Sequence, residues 1–121
     1  MKICITAQGA QLEAGIDPRF GRSQYFIFVD PDTMAWEAVA NENASGMGGV
    51  GIQSAQLIAE KGAKVVLTGK VGPNASQTLN AAGIQVVLDV NGTVDDAVQS
   101  FKNGELRISD GPNAAEKSGL S

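Results

Sequence analysis

Two short apolar runs, residues 64–68 and 84–88, constrain the fold more than any other feature of this chain. Each is too short for a helix and rich in Val, Ile or Leu, so each predicts a buried strand. Each is preceded by a helical pattern that glycine closes. Ile52, Ala55, Ile58, Ala59 and Gly62 fall near one face of a helix over about 50–61, with Gly62 as its stop. Ala75, Leu79 and Ala82 share a face of a second helix, which has Pro73 in its first turn and stops at Gly83. After the second run, Thr93 predicts the cap of a third helix, with Asp96 in the capping-box position. Val94, Ala97, Val98 and Phe101 follow at i, i+3, i+4 and i+7, and Gly104 ends the pattern. Strands alternating with helices make parallel crossovers, so this half of the chain reads as α/β.

The first half reads differently. Residues 2–6 form an apolar, β-branched strand, followed by a long Gly-, Pro- and charge-rich loop over 7–23. Residues 24–29 are dense in aromatic and β-branched side chains and predict a second strand. The Asp30-Pro31-Asp32-Thr33 sequence is a turn, and the alternation over 34–39 predicts a third strand antiparallel to the second. The order is β-β-β-α-β-α-β-α. Right-handed crossovers then give a five-stranded mixed sheet of order 3-2-1-4-5, strand 2 antiparallel, with three helices: a ribonuclease H-like α/β fold. In such a sheet residues 7–23, 41–51, 69–74 and 89–92 converge on one cleft at one edge. Residues 1–104 are expected to be the folded domain. Residues 105–121 are polar with few large apolar side chains and read as a loosely attached tail.

Composition removes several functions. The 121 residues contain one cysteine and no histidine, and the formal net charge is −4. A disulfide framework, a Cys/His zinc site, a four-cysteine Fe–S site and a Ser-His-Asp triad cannot be built from one such chain. The negative charge argues against broad nucleic-acid binding. No apolar run is long enough for a membrane span, and the N-terminus lacks a signal-peptide pattern, so the expectation is a soluble cytoplasmic protein. A two-metal nuclease of this fold needs an aspartate in the first strand, and Lys2-Ile3-Cys4-Ile5-Thr6 has none.

Three stretches can carry chemistry. In Ser45-Gly46-Met47-Gly48-Gly49-Val50-Gly51 the glycines leave amides uncovered at a helix start, where an anion can sit. The pattern matches G-x-G-x-x-G, but the next strand ends in Thr68-Gly69-Lys70 rather than in the acid of a dinucleotide site. A flexible packing loop and a cradle for another compact anion remain as alternatives. Gly69-Lys70-Val71-Gly72-Pro73-Asn74-Ala75 repeats the theme with a point charge, against the plainer reading of a strand-to-helix loop. Arg19 and Arg22 flank Phe20-Gly21 and offer planar donor forks for an oxyanion or a metal-bound sulfide. They could equally hold the loop down by pairing with Asp17 or Glu13. Met47 is a candidate soft metal ligand or simply a packing residue, and Cys4, mid-strand, reads as a buried hydrophobe.

The motifs taken together resemble a known family. Arg19-Phe20-Gly21-Arg22 before an aromatic strand, the glycine loop before the first helix, residues 57–66 leading into 69–75, and Ala81-Ala82-Gly83-Ile84 are similar to the dinitrogenase iron–molybdenum cofactor biosynthesis family. The resemblance implies a ribonuclease H-like fold and carriage of a metal–sulfur cluster rather than catalysis. It implies a molybdenum-containing cluster or thiomolybdate-type anion, with Mo–Cu sulfide as a candidate, and a protein partner in cofactor assembly. Family members often carry a histidine in the glycine loop; here that place offers Met47. The expectation is therefore a guest held by amides and charge, from Arg19, Arg22, Gly46, Gly48, Gly49, Gly51, Lys70, Gly72 and Asn74, with Met47 as the candidate metal ligand. The alternative is a nucleotide- or phosphate-binding domain using the same loops.

Overall fold

The computed structural model describes residues 1–42 and 50–109. Five strands are present: β1 (Ile3–Ala7), β2 (Tyr25–Val29), β3 (Trp36–Ala40), β4 (Val65–Leu67) and β5 (Gln85–Val87). Three helices accompany them: α1 (Val50–Glu60), α2 (Pro73–Ala81) and α3 (Val94–Lys102). The sheet order is β3-β2-β1-β4-β5. Strand β2 is antiparallel to both β1 and β3, and β1, β4 and β5 run parallel. This is the ribonuclease H-like order expected from the sequence. The short runs that fixed it are buried: Val65, Val66 and Leu67 are at most 1% exposed.

Alternation along the strands divides the core in two. Ile3, Ile5, Ile27, Val29, Val65 and Leu67 face α3 and pack with Val94, Ala97 and Val98. Cys4, Phe26, Phe28 and Val66 face the other way, onto Ala55 and Ile58 of α1 and Ala75 and Leu79 of α2. A one-residue slip of β1 would exchange the two sets, so the register is fixed by both helix layers at once. The helix stops behave as the sequence indicates: Gly62 and Gly83 take φ of 81° and 74°, a region closed to most side chains.

Two details differ from the sequence reading. The third strand begins at Trp36, because Met34 has a φ of 63° and belongs to the preceding turn. That turn is longer than the four residues of its Asp-Pro signal: Met34 N donates to Asp30 O at 2.7 Å, and Asp30 N to Ala35 O at 2.9 Å. The segment after α3 is anchored where it begins. Leu106 packs on the α3-side core, and Ser109 N donates to Val86 O at 2.7 Å along β5. Its spaced apolar residues, Leu106 and Ile108, are too few to read as an element. Residues 110–121 lie outside the described residues.

Candidate functional site

The loop after β1 is held rigid before it presents any charge. Asp17 is 1% exposed, and its carboxylate accepts from Arg19 N (Oδ1, 3.1 Å) and Gln24 N (Oδ2, 3.1 Å). The Thr6 hydroxyl donates to Asp17 O at 2.7 Å and lies 2.8 Å from the Thr68 hydroxyl, which ties the loop to β1 and β4. Phe20 turns inward, with its ring centroid 6.1 Å from that of Phe26. Burying such a side chain contributes about 1.5–3 kcal/mol, enough to fix the loop's middle. Asn41 Nδ2 donates to Gly21 O (3.0 Å) and Ser23 O (2.9 Å), and Ser54 Oγ donates to Gly21 O (3.4 Å). Arg19 and Arg22 stand exposed on either side of this pinned Phe20-Gly21 pair.

The loop after β4 is stitched to it. Lys70 N donates to Pro18 O at 2.8 Å, and Phe20 N to Lys70 O at 3.1 Å, a parallel bridge that pairs Arg19 with Lys70. The approach is close. A Cβ on Gly69 would lie 2.7 Å from Pro18 Cα and O, and one on Gly21 would lie 2.9 Å from Gly51 N and Cα. Only glycine lets these backbones meet. Helix α2 then opens at the same edge. Its N-cap, Gly72, supplies no side-chain cap, Pro73 holds the first position, and no acid occupies the first turn. Among the described residues no side chain caps this helix start, so its partial positive charge lies at the loop edge.

These parts enclose a cavity of about 430 Å³. Phe20, Val50, Ile52, Pro73 and Ala75 form apolar walls, and Arg19, Arg22 and Lys70 stand among the lining residues with Gly21, Gly51, Gly72 and Asn74. No carboxylate is among the described lining residues. Three of the chain's nine Lys and Arg residues gather here, in a molecule of net charge −4. Local charge is thus opposite in sign to that of the whole, which focuses anions on the cavity. The magnitude is moderated by solvent. Arg19 is 59% exposed, so its 3.4 Å contact from Nε to Asp17 Oδ1 is worth at most ~1 kcal/mol. Asp17 holds the loop chiefly through its two backbone N–H partners and steadies the Arg19 side chain through Nε.

Six of the residues singled out in the sequence line this one cavity: Arg19, Arg22, Gly51, Lys70, Gly72 and Asn74. Gly46, Met47, Gly48 and Gly49 lie outside the described residues, and the description resumes at Val50, in the cavity wall. The loop at 89–92 does not line the cavity but braces the others. Asp89 N donates to Gly69 O (2.9 Å), Val90 N to Thr68 O (3.0 Å), and Gly92 O accepts from Ile16 N (2.9 Å). Cys4 is fully buried, and that burial pushes its thiol pKa well above the ordinary value. Among the described residues no three His, Cys, Asp or Glu side chains come together to hold a metal ion.

Sequence reasoning missed the apolar walls and the braces. Ile52 reads as a core residue by spacing, yet the core face of α1 is Ser54, Ala55 and Ile58, and half-buried Ile52 lines the cavity. Asn41 carries no motif. Its one signal is its place, the first residue after β3 in a stretch already expected at the cleft.

The chain and its fold have relatives. A family model described as "Dinitrogenase iron-molybdenum cofactor" matches residues 1–104. An uncharacterized protein of Methanocaldococcus jannaschii is 30% identical over 109 residues, covering 88% of this chain and 89% of its own. The apo form of the orange protein from Desulfovibrio gigas is 47% identical and superposes with a TM-score of 0.91, covering 93% of this chain and 96% of that one. A Thermotoga protein described as a candidate NifB protein is 33% identical with a TM-score of 0.76, covering 88% and 91%. No helix among the described residues is long and apolar enough to cross a membrane.

Proposed function

The chain belongs to the dinitrogenase iron-molybdenum cofactor family, and from that membership we propose that it carries an anionic metal–sulfur cluster in metallocofactor assembly. The role is carriage or scaffolding rather than catalysis. The guest is molybdenum-containing, with a Mo–Cu sulfide as the leading candidate. It is held without covalent attachment in the cavity between the loops after β1 and β4 and the starts of α1 and α2.

One observation carries this reading. A cavity large enough for a small-molecule guest combines apolar walls, three cationic side chains, no carboxylate among its described lining and a helix start without a side-chain cap. Strongly hydrated anions gain little from Val50, Ile52 and Pro73. A large, polarisable sulfide anion can lie against them while Arg19, Arg22 and Lys70 answer its charge. Gly72 keeps the α2 amide end approachable, since a Cβ there would meet nothing within 4 Å. Residues 46–49 would add amides and Met47 a thioether donor, so that contact is mostly hydrogen bonding and charge. The carrier unit is residues 1–104, the stretch that the family model matches, and a protein partner in cofactor assembly belongs to the same reading.

The test is reconstitution. Tetrathiomolybdate and Cu(I) are added to the apo-protein under exclusion of oxygen, and the protein is passed over a sizing column. The expected result is a visible charge-transfer band that co-elutes with protein and weakens in an Arg19→Ala/Lys70→Ala double variant. A folded protein that elutes colourless would overturn the reading. Saturable binding of a nucleotide in the same cavity would favour a phosphate-binding domain instead.

A further inference from the structure

Arg19 and Lys70 are a matched pair and not merely two nearby cations. Lys70 uses both its N–H and its C=O on the Arg19 segment, to Pro18 O at 2.8 Å and from Phe20 N at 3.1 Å. Residues paired across a parallel bridge project to the same side, and both of these line the same cavity. Like charges placed directly opposite one another repel. Of the two, Arg19 has a carboxylate beside it, Asp17 Oδ1 at 3.4 Å from Nε. No carboxylate among the described residues forms an ion pair with Lys70. The loops nonetheless hold the two residues side by side with fixed backbone geometry: Asp17, Phe20, Asn41 and Ser54 pin one side, and the Asp89-to-Gly69 bond pins the other.

We propose that the Arg19–Lys70 pair is a charge clamp that selects guests carrying two or more negative charges, with Asp17 as a positioning residue. Asp17 holds Arg19 at Nε, and the guanidinium has terminal donors left to offer the guest. Asp17 fixes where the Arg19 side chain stands, and the guest supplies the opposing charge. A monoanion satisfies one arm and leaves the other opposed. This inference rests on the reading of the cavity as a site for an anionic guest, and it adds a rule for which anions that site accepts.

Two anions of the same shape separate the two ideas. Tetrathiomolybdate and tetrathiorhenate are both tetrahedral MS₄ ions with similar sulfur surfaces, but the first carries two charges and the second one. Each is titrated into full-length protein followed by its own absorption band. The wild type is expected to prefer the dianion by roughly tenfold, the effect of one unit charge at contact range in a partly solvated site. In Lys70→Met the preference should fall to within about threefold, mostly through weaker dianion binding. Asp17→Asn should lower dianion affinity in the wild type but not in an Arg19→Ala background, because it acts through Arg19. A merely structural Asp17 would instead lower the melting temperature equally in both backgrounds and leave the affinity ratio unchanged. Apo Lys70→Met should melt no lower than wild type, since a repulsion is removed. Equal wild-type affinity for the two ions would overturn the clamp and leave the anion site standing. If neither ion binds to folded wild type, the site reading itself fails and the clamp with it.

Discussion

Helices α2 and α3 start at the same edge of the sheet, on opposite faces, and the chain treats their N-termini in opposite ways. At α3 the Thr93 hydroxyl accepts from Asp96 N at 3.1 Å, the Asp96 carboxylate accepts from Thr93 N at 3.2 Å, and Asp95 adds a second acid to the first turn. The helix dipole there meets anions that the chain provides. At α2 the cap is Gly72, the first position is Pro73 and the first turn holds no acid. One end is complete in itself, and the other leaves its positive end beside Arg19, Arg22 and Lys70. A helix start that the protein could cap cheaply, and does not, is where an outside anion gains most. This contrast in capping supports the proposed site, and it can be broken by substitution.

The largest effect should come from the backbone contact that builds the open end. Gly69→Ala places a Cβ 2.7 Å from Pro18 Cα and O, both backbone atoms with little room to yield. The Pro18–Lys70 stitch must part, and we expect a loss of about 2–3 kcal/mol in urea unfolding, together with loss of cluster retention. Gly72→Ala is the control. Its Cβ meets nothing within 4 Å, so stability should change by less than about 0.5 kcal/mol. Equal losses in the two variants would mean that close approach is not what glycine serves here.

Next is conversion of the open end into a closed one. Gly72→Asp gives α2 the side-chain cap and the acid that α3 already has. Apo stability should rise by a few tenths of a kcal/mol, while affinity for an anionic guest falls by at least about tenfold from the added carboxylate. Chemical denaturation and the tetrathiomolybdate titration read the two effects separately. A variant that binds the guest as well as wild type would show that the α2 end is not part of the site. The reverse experiment is Thr93→Ala. It should cost about 1 kcal/mol of stability and leave guest affinity unchanged, because the α3 cap does not line the cavity.

This contrast also marks what the sequence could disclose. The capping box at Thr93 and Asp96 was legible because its residues act on their immediate neighbours, at a spacing fixed by helix geometry. The strand order was legible because buried runs and glycine stops are local signals, and crossover handedness leaves few arrangements. Arg19, Lys70 and Gly72 could be named as candidates from residue type and topology. Their pairing could not, because it depends on a bridge between residues 51 positions apart in the chain. Ile52 was misplaced for a related reason. Periodicity marks an apolar face but does not say whether protein or guest covers it. The braces, Asn41 and Ser54, each act on a carbonyl, Gly21 O, whose position is known only once the loop is folded.

A further prediction tests the two faces of β1. Ile3 and Ile5 point to the α3 layer, while Cys4 points to the α1/α2 layer, among residues that include the cavity walls Phe20 and Ala75. Cys4 is 0% exposed, and burial raises its pKa in the folded state because the thiolate would be stranded without water. The folded chain therefore keeps this proton at pH values where the unfolded chain, with a thiol pKa near ~8.5, has released it. Stability from this group is fully present below that pH and is lost as pH rises toward the folded-state pKa, with a limiting slope of about −1.4 kcal/mol per pH unit. Between pH 8 and 9, where the unfolded thiol is only partly ionised, the loss should be well under that limit, about 0.7 kcal/mol. In Cys4→Ala the curve should flatten over this window even though the smaller side chain lowers stability at every pH. Comparing slopes rather than absolute stabilities keeps the packing loss out of the result. If wild type and variant lose stability in parallel between pH 8 and 9, Cys4 is reached by solvent, and the layer behind the cavity is looser than the one behind α3.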